Sequence, residues 1–393
     1  MEHRELFYRH LAQTSPFPLA LEIEKAEGVY MHGRDGRKYL DLISGISVSA
    51  LGHRHPAVLQ AIHEQLDRYM HLMVYGEFVQ SPQTGLAALL AAHLPAGLDN
   101  VYFVNSGSEA VEGALKLAKR FTGRTEVVAF DNAYHGSSHG ALSVTGHERM
   151  RNAFRPLLPD VRHIRFNCMD DLEHISARTA CVIAETIQGE AGAIVPVNGF
   201  LQALRKRCSE VGALLILDEI QAGMARTGSL WAFEHFGIQP DILTLAKGLG
   251  GGMPIGAFIA GKDVMQCLTH EPVLGHITTF GGNAVCAAAA KATLKYIINN
   301  KLWESTAKHE QTFHKNLTHP RIKSIRGRGL LLAVEFENFA ENKIIIDRCI
   351  EKGLLTDWFL FADHAMRIAP PLIITDNEIE EACSIINTVL DEA

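Results

Sequence analysis

The sequence predicts an α/β protein built on a mostly parallel sheet with helices on both faces, and two observations carry that prediction. The first is a series of short, largely apolar runs, Val101-Tyr102-Phe103-Val104, Val127-Val128-Ala129-Phe130, Cys181-Val182-Ile183-Ala184, Leu214-Leu215-Ile216-Leu217 and Ile242-Leu243-Thr244-Leu245, alternating with helical patterns. Unbroken apolarity of this kind belongs to strands covered on both faces, as parallel strands joined by crossover helices are. The second is that residues with chemistry to offer follow these runs, and the carboxyl ends of strands are where such sheets bind ligands.

The two ends of the chain read differently. Asp35-Gly36, set between Gly28-Val29-Tyr30 and Arg37-Lys38-Tyr39-Leu40, signals a hairpin. A long helical pattern occupies about 284–318, strands are expected at 330–336 and 366–368, and a helix at 376–390. This organisation predicts a large domain over 51–295 and a smaller α+β domain assembled from 1–50 and 296–393. No internal repeat or low-complexity segment interrupts it.

Composition narrows the classes of function. With 393 residues, 47% hydrophobic and 21% charged, the chain can bury a large core. A net charge of -7 without a basic stripe argues against a nucleic-acid partner. The polar start Met1-Glu2-His3-Arg4-Glu5-Leu6 leads to no apolar signal core, and no apolar stretch is long enough for a bilayer, so a cytoplasmic enzyme with no membrane partner is expected. Seven cysteines, scattered without a Cys-x-x-Cys, predict reduced core residues rather than a disulfide framework or a zinc site. His53-Arg54-His55, before Pro56, has no neighbouring cysteine or carboxylate cluster and is given a structural role, so no metal is expected.

Lys247 is the most informative residue. It sits between the apolar run 242–245 and the cluster Gly248 to Gly252, badly placed for solvation. Buried lysines shift their pKa and serve as Schiff-base nucleophiles; the plainer alternative is a strand-end lysine reaching out to water. Asp218 ends another apolar run, where an acid needs a cationic partner such as a protonated pyridine nitrogen, or else caps the next helix. Ser106-Gly107-Ser108-Glu109, between a strand and a helical run, offers backbone N–H groups at a helix N-terminus for a phosphate, and satisfies a plain capping box equally well. Gly248-x-Gly250-x-x ends on Met253, so a dinucleotide fingerprint fails on spacing.

Ser106-Gly107-Ser108-Glu109-Ala110, Tyr134-His135-Gly136, Glu185-Thr186-Ile187-Gln188-Gly189-Glu190, Asp218-Glu219-Ile220-Gln221, Lys247 and Thr279-Phe280-Gly281-Gly282-Asn283 follow one another in one order. Together they closely resemble the class III, ω-amino acid type, pyridoxal-phosphate aminotransferases, similar to the acetylornithine and ornithine aminotransferases, from about Leu19 onward. The resemblance implies a fold type I α/β transferase, a homodimer with active sites at the subunit interface, and pyridoxal 5'-phosphate as cofactor. It implies an internal aldimine on Lys247, Asp218 facing the pyridine nitrogen and Gln221 its phenolic oxygen. Gly107 and Ser108 would hold the phosphate, Tyr134 would stack on the ring, His135 and Glu185 would line the cofactor site, and Thr279 would reach the neighbouring subunit's phosphate.

For substrates, the resemblance makes Arg367, in Met366-Arg367-Ile368, the grip on a substrate carboxylate and Glu190 the switch that masks it while an ω-amino donor reacts. The implied reaction is ping-pong transfer from an amine or ω-amino donor to a 2-oxo acid, 2-oxoglutarate above all. The sequence departs from the pattern at Ser137, where acetylornithine, ornithine and 4-aminobutyrate aminotransferases place an arginine for the donor's distal carboxylate, and at Thr14, where ornithine aminotransferases place a tyrosine. That departure points to a donor lacking this carboxylate, such as a diamine, or to an anchor elsewhere, with Arg34, Arg151 and Arg226 as candidates. An acetylornithine-type enzyme, an aminomutase or racemase, and a non-catalytic relative are the competing readings.

Overall fold

The computed structural model describes residues 3–197 and 199–392; Met1 and Glu2, part of the polar start, lie outside the described residues. A seven-stranded sheet forms the centre, in the spatial order Asn100–Val104, Gly256–Ala260, Ile242–Leu245, Leu214–Asp218, Thr179–Glu185, Glu126–Phe130, Val161–Ile164. All of the expected strands are present. The pairs from Ile242–Leu245 through to Val161–Ile164 are parallel, whereas Gly256–Ala260 runs antiparallel to both neighbours. Residues 246–255 explain the exception, being too few for the crossover of about a dozen residues or more that returns a parallel strand.

Two strands of this sheet escape the sequence pattern. Gly256–Ala260 follows the glycine cluster directly and resembles the tail of a turn. Val161–Ile164 is an edge strand, with Arg162 exposed between part-buried neighbours, so it lacks the continuous apolarity of the interior strands.

Helix Gly107–Thr122 covers one face of the sheet. It buries Ala110, Val111, Ala114, Leu115, Leu117 and Ala118, the stripe that a 3.6-residue period places on one side. Leu117 is fully buried, and its truncation to alanine in such a core would cost about 2–5 kcal/mol. The helix starts where the Ser106 side chain accepts the Glu109 N–H. The reciprocal half of the expected capping box is shifted by one residue, since Glu109 Oε2 accepts the Asn105 backbone N–H instead.

The chain ends meet. Ile23–Glu27, Tyr30–Gly33 and Lys38–Asp41 form an antiparallel meander that turns at Asp35-Gly36 as expected, and Leu354–Leu355 joins it parallel to Lys38–Asp41. A second four-stranded sheet orders Ser324–Arg328, Leu331–Glu335, Ala362–Ile368 and Trp358–Phe359. The long helical pattern is two helices, Ala284–Asn299 and Leu302–Asn316, broken where Lys301 takes φ 46° after the weak helix formers Asn299 and Asn300. The last helix is Asp376–Glu392. No helix among the described residues is long and apolar enough to cross a membrane.

Candidate active site

The carboxyl ends of the central strands enclose a cavity of about 440 Å³. Asn105 and Ser106 follow one strand, Asp218 and Glu185 end two others, and Lys247 follows a fourth, so one edge of the sheet gathers side chains far apart in sequence. Gly107, Ser108, Tyr134, His135 and Gln221 complete the expected set on its walls.

Lys247 opens a short 3₁₀ turn, Lys247–Gly250, with φ 41°. Left-handed backbone at a non-glycine residue costs roughly 1–3 kcal/mol and is retained where the surroundings fix it, often at functional sites. Burial holds the amine below the ordinary lysine pKa; Glu190 opposes this, Arg367 adds to it, and Asp218 and Glu185 oppose it more weakly. The net direction favours a neutral amine, the form that attacks and accepts protons.

Asp218 has partners on both oxygens. Oδ1 accepts the Ile220 N–H at 3.0 Å and Oδ2 lies 2.7 Å from His135 Nδ1. A turn rather than a helix follows Asp218, so the helix-capping alternative is not met; the first oxygen closes that turn, while the second is held by a histidine that is 2% exposed. Behind them Glu185 accepts the N–H groups of Tyr134 and Gly189, both at 3.0 Å. Burial pushes its carboxyl up to about 7, against the pull of His135 and those two N–H groups. One carboxylate therefore fixes the backbone behind the ring of Tyr134 and the turn that leads to Glu190.

The amino end of helix Gly107–Thr122 suits an anion, because its first N–H groups have no intrahelical partner. Ser108 Oγ accepts the Ser137 N–H at 3.2 Å, which leaves the hydroxyl proton free to donate. Close approach demands glycine at Gly136, where φ is 128° and a Cβ would collide with Ser108 Oγ; at Gly107 a Cβ would press on the end of the Ile220 side chain, 2.9 Å from Cδ1.

Arg367 and Glu190 meet in a buried fork, Nη1 to Oε1 at 2.9 Å and Nη2 to Oε2 at 3.0 Å. Burial opposes the charge on Glu190, but Arg367, with Lys247 behind it, outweighs burial and holds its carboxyl below the usual range. Sequence reasoning missed Asp357, whose Oδ1 accepts from Arg367 Nε at 2.9 Å. Only the hairpin pairing of Trp358–Phe359 with Ala362–Ile368 brings the two together, and 358–359 is too short a strand to read from its residues.

Other expectations resolve differently. Thr279 is exposed and outside the cavity walls of this chain, on a loop tied to the phosphate end by Asn105 Nδ2 donating to Thr278 Oγ1. Ser137 is exposed. The proposed replacement anchors do not line the cavity. Arg226 is consumed by the carbonyls of Leu330 and Pro370, Arg151 by Glu148 and His163, and Arg34 lies on a separate cleft beside the amino-terminal helix. His53 pairs with Asp41 at 2.8 Å and His55 packs edge-on against Tyr296, which are structural roles. The cysteines are free and mostly buried. No group of three or more His, Cys, Asp or Glu among the described residues is placed to hold a metal.

Pyridoxal phosphate fits the residues present. Besides the helix N-terminus suited to an anion and the buried amine, Gln221 Nε2 on the cavity wall is buried without a hydrogen-bond partner, and a buried unpaired donor costs about 1–3 kcal/mol unless a ligand satisfies it. Fold and site together define a pyridoxal-phosphate-dependent transferase of fold type I. The family profile "Aminotransferase class-III" matches residues 12–390, and the chain belongs to the class III aminotransferases. The acetylornithine aminotransferase of Methanopyrus kandleri is 40% identical over 388 residues, 97% of each chain. That of Mycobacterium bovis is 41% identical over 385 residues, covering 97% of this chain and 93% of its own. The ornithine aminotransferase of Toxoplasma gondii, with PLP partly occupying its active site, matches at TM-score 0.92 and 32% identity over 98% of this chain and 93% of that one.

Proposed function

We propose that this aminotransferase takes its amino group from an acetylornithine-type donor and passes it to 2-oxoglutarate. The observation that carries the donor is the near-full-length similarity to acetylornithine aminotransferases. It outweighs the inference drawn from Ser137 that the donor lacks a distal carboxylate. The acceptor reading rests on Glu190 lying over Arg367, because a masked arginine serves two substrates in turn, which an aminomutase or racemase does not require.

Bound in the cavity, pyridoxal phosphate supplies a carbonyl for the donor's amine and a ring that stabilises negative charge on the donor carbon. Gly107 and Ser108 would hold its phosphate by N–H groups and a hydroxyl, Asp218 would present an anion to the ring nitrogen, and Gln221 Nε2 would donate to the ring oxygen. Tyr134, on the cavity wall, would stack on the ring face, an aromatic contact worth about 0.5–1.5 kcal/mol beyond buried area. Lys247 Nζ takes the proton from the donor carbon as general base and returns it as general acid. Glu190 covers Arg367 while the donor reacts; when it swings aside, the guanidinium grips the acceptor's carboxylate through two parallel bonds. Thr279, exposed in the single chain, would act on a second subunit's phosphate in a homodimer, and the free cysteines suit the cytoplasm.

A half-reaction screen tests the donor. Acetylornithine, putrescine and cadaverine are each supplied without acceptor and the cofactor's absorbance is followed; acetylornithine reacting fastest is expected. A diamine reacting fastest would establish the second reading, which the serine at 137 and the engagement of Arg151 and Arg226 by other partners favour.

A further inference from the structure

We infer that Asp357 is a positioning residue for the acceptor half of the reaction, holding the Arg367 guanidinium in place while Glu190 gives way to the acceptor's carboxylate. The inference rests on the reading of Arg367 as the carboxylate grip and Glu190 as its mask.

The two carboxylates on Arg367 are not equivalent. Glu190 occupies the outer edge of the guanidinium, both terminal nitrogens, and comes from the loop after strand Thr179–Glu185. Asp357 takes Nε and belongs to the same hairpin as the arginine, whose backbone N–H donates to the Asp357 carbonyl at 2.8 Å. Nη2 also reaches the Trp358 carbonyl at 3.3 Å, and the guanidinium carbon lies 4.3 Å from the centre of the Phe359 ring. One partner is therefore exchangeable, and the others are built into the strand pair that carries Arg367.

Glu190 Oε2 further accepts the Leu360 N–H at 3.1 Å. When Glu190 leaves, three N–H donors become vacant together: Nη1, Nη2 and Leu360 N. They suit a carboxylate only while the guanidinium plane stays where it is. Arg367 is 1% exposed, so water cannot replace a lost counter-ion, and an unpaired buried charge is costly. Without Asp357 the arginine would have Glu190 as its only anion and would follow that side chain instead of waiting for substrate. Asp357 meets both needs: its bond to Nε fixes the plane, and although burial pushes its carboxyl up, Arg367 pulls it down and the repulsion from Glu190 ends when Glu190 departs, which leaves it the anion on the arginine.

The test uses the holoenzyme and separates the two half-reactions. In Asp357→Ala the KM for 2-oxoglutarate is expected to rise about tenfold or more, the loss of a charge-assisted bond, while the single-turnover rate with donor alone stays within about twofold. If Asp357→Ala fails to fold, Asp357→Glu replaces it; the charge is kept but the longer side chain displaces the guanidinium, and the same split is expected at about fivefold. An acceptor KM within twofold of wild type, or an equal fall in both half-reactions, overturns the inference. Arg367→Lys is the control. If it raises the acceptor KM while the Asp357 variants do not, the positioning role alone fails; if it too leaves KM unmoved, Arg367 is not the grip.

Discussion

His135 Nδ1 lies 2.7 Å from Asp218 Oδ2 across 83 residues of sequence. An ionised carboxylate only accepts, so Nδ1 carries the proton, while Nε2 is buried without a partner. The contact orients the acid proposed to face the cofactor ring. His135→Ala is expected to weaken pyridoxal-phosphate binding about 10- to 100-fold, the loss of a hydrogen bond to a charged group worth about 1.5–3 kcal/mol. Titration of the apoprotein by absorbance measures it, and an unchanged Kd would reduce the pair to a packing contact.

Lys247 is expected to be indispensable for proton transfer as well as for attachment. Lys247→Ala should lower turnover roughly 10³-fold or more, within the span attributed to a positioned general base. Borohydride treatment followed by peptide mass analysis should label residue 247 in the wild type and leave the variant unlabelled. A label on another lysine in the wild type would overturn the assignment.

Glu185 and Glu219 predict a pH dependence of apoprotein stability. Burial raises both carboxyls from 4.5 to about 7. Folding therefore favours their protonated forms; that contribution is complete below about pH 4.5 and is lost as pH rises through about 7. His163, lowered by burial from 6.5 to about 4, contributes in the opposite sense, with stability lost as pH falls through that range. A difference isolates the glutamate: the Tm of wild type relative to Glu185→Gln is expected to fall between about pH 5 and pH 8. A constant difference would remove Glu185 as the titrating group.

Ser137 offers a gain-of-contact test of the donor. Ser137→Arg restores the cation that the related aminotransferases carry at this step. The KM for acetylornithine is expected to fall about tenfold while that for putrescine does not, since only the former presents a carboxylate. Equal effects on both donors would place the donor's distal end away from residue 137.

Much of the site was legible because it is local. Strand ends and the turns that follow them lie within about ten residues, so the positions of Ser106 to Glu109, Asp218 and Lys247 were legible locally, while their chemistry was legible only through the resemblance of all the segments taken in order. The antiparallel Gly256–Ala260 was hidden because its run resembles the end of a turn, and its direction depends on the shortness of 246–255. The break at Lys301 was hidden as well, because helical periodicity continues on either side of it.

Through the family resemblance the sequence by itself pointed to the cofactor chemistry, and the strands that end at the cavity carry candidate residues at their termini, so that only the sheet is needed to bring them together. The tertiary structure alone decided that Asp357 shares Arg367 with Glu190, the partner that the family resemblance implies. Glu190 stands 177 residues away and Asp357 ten, and no periodicity records either contact. The bonds exist because the hairpin 358–368 packs against the loop after Glu185, burying a guanidinium that then requires anions on both of its edges.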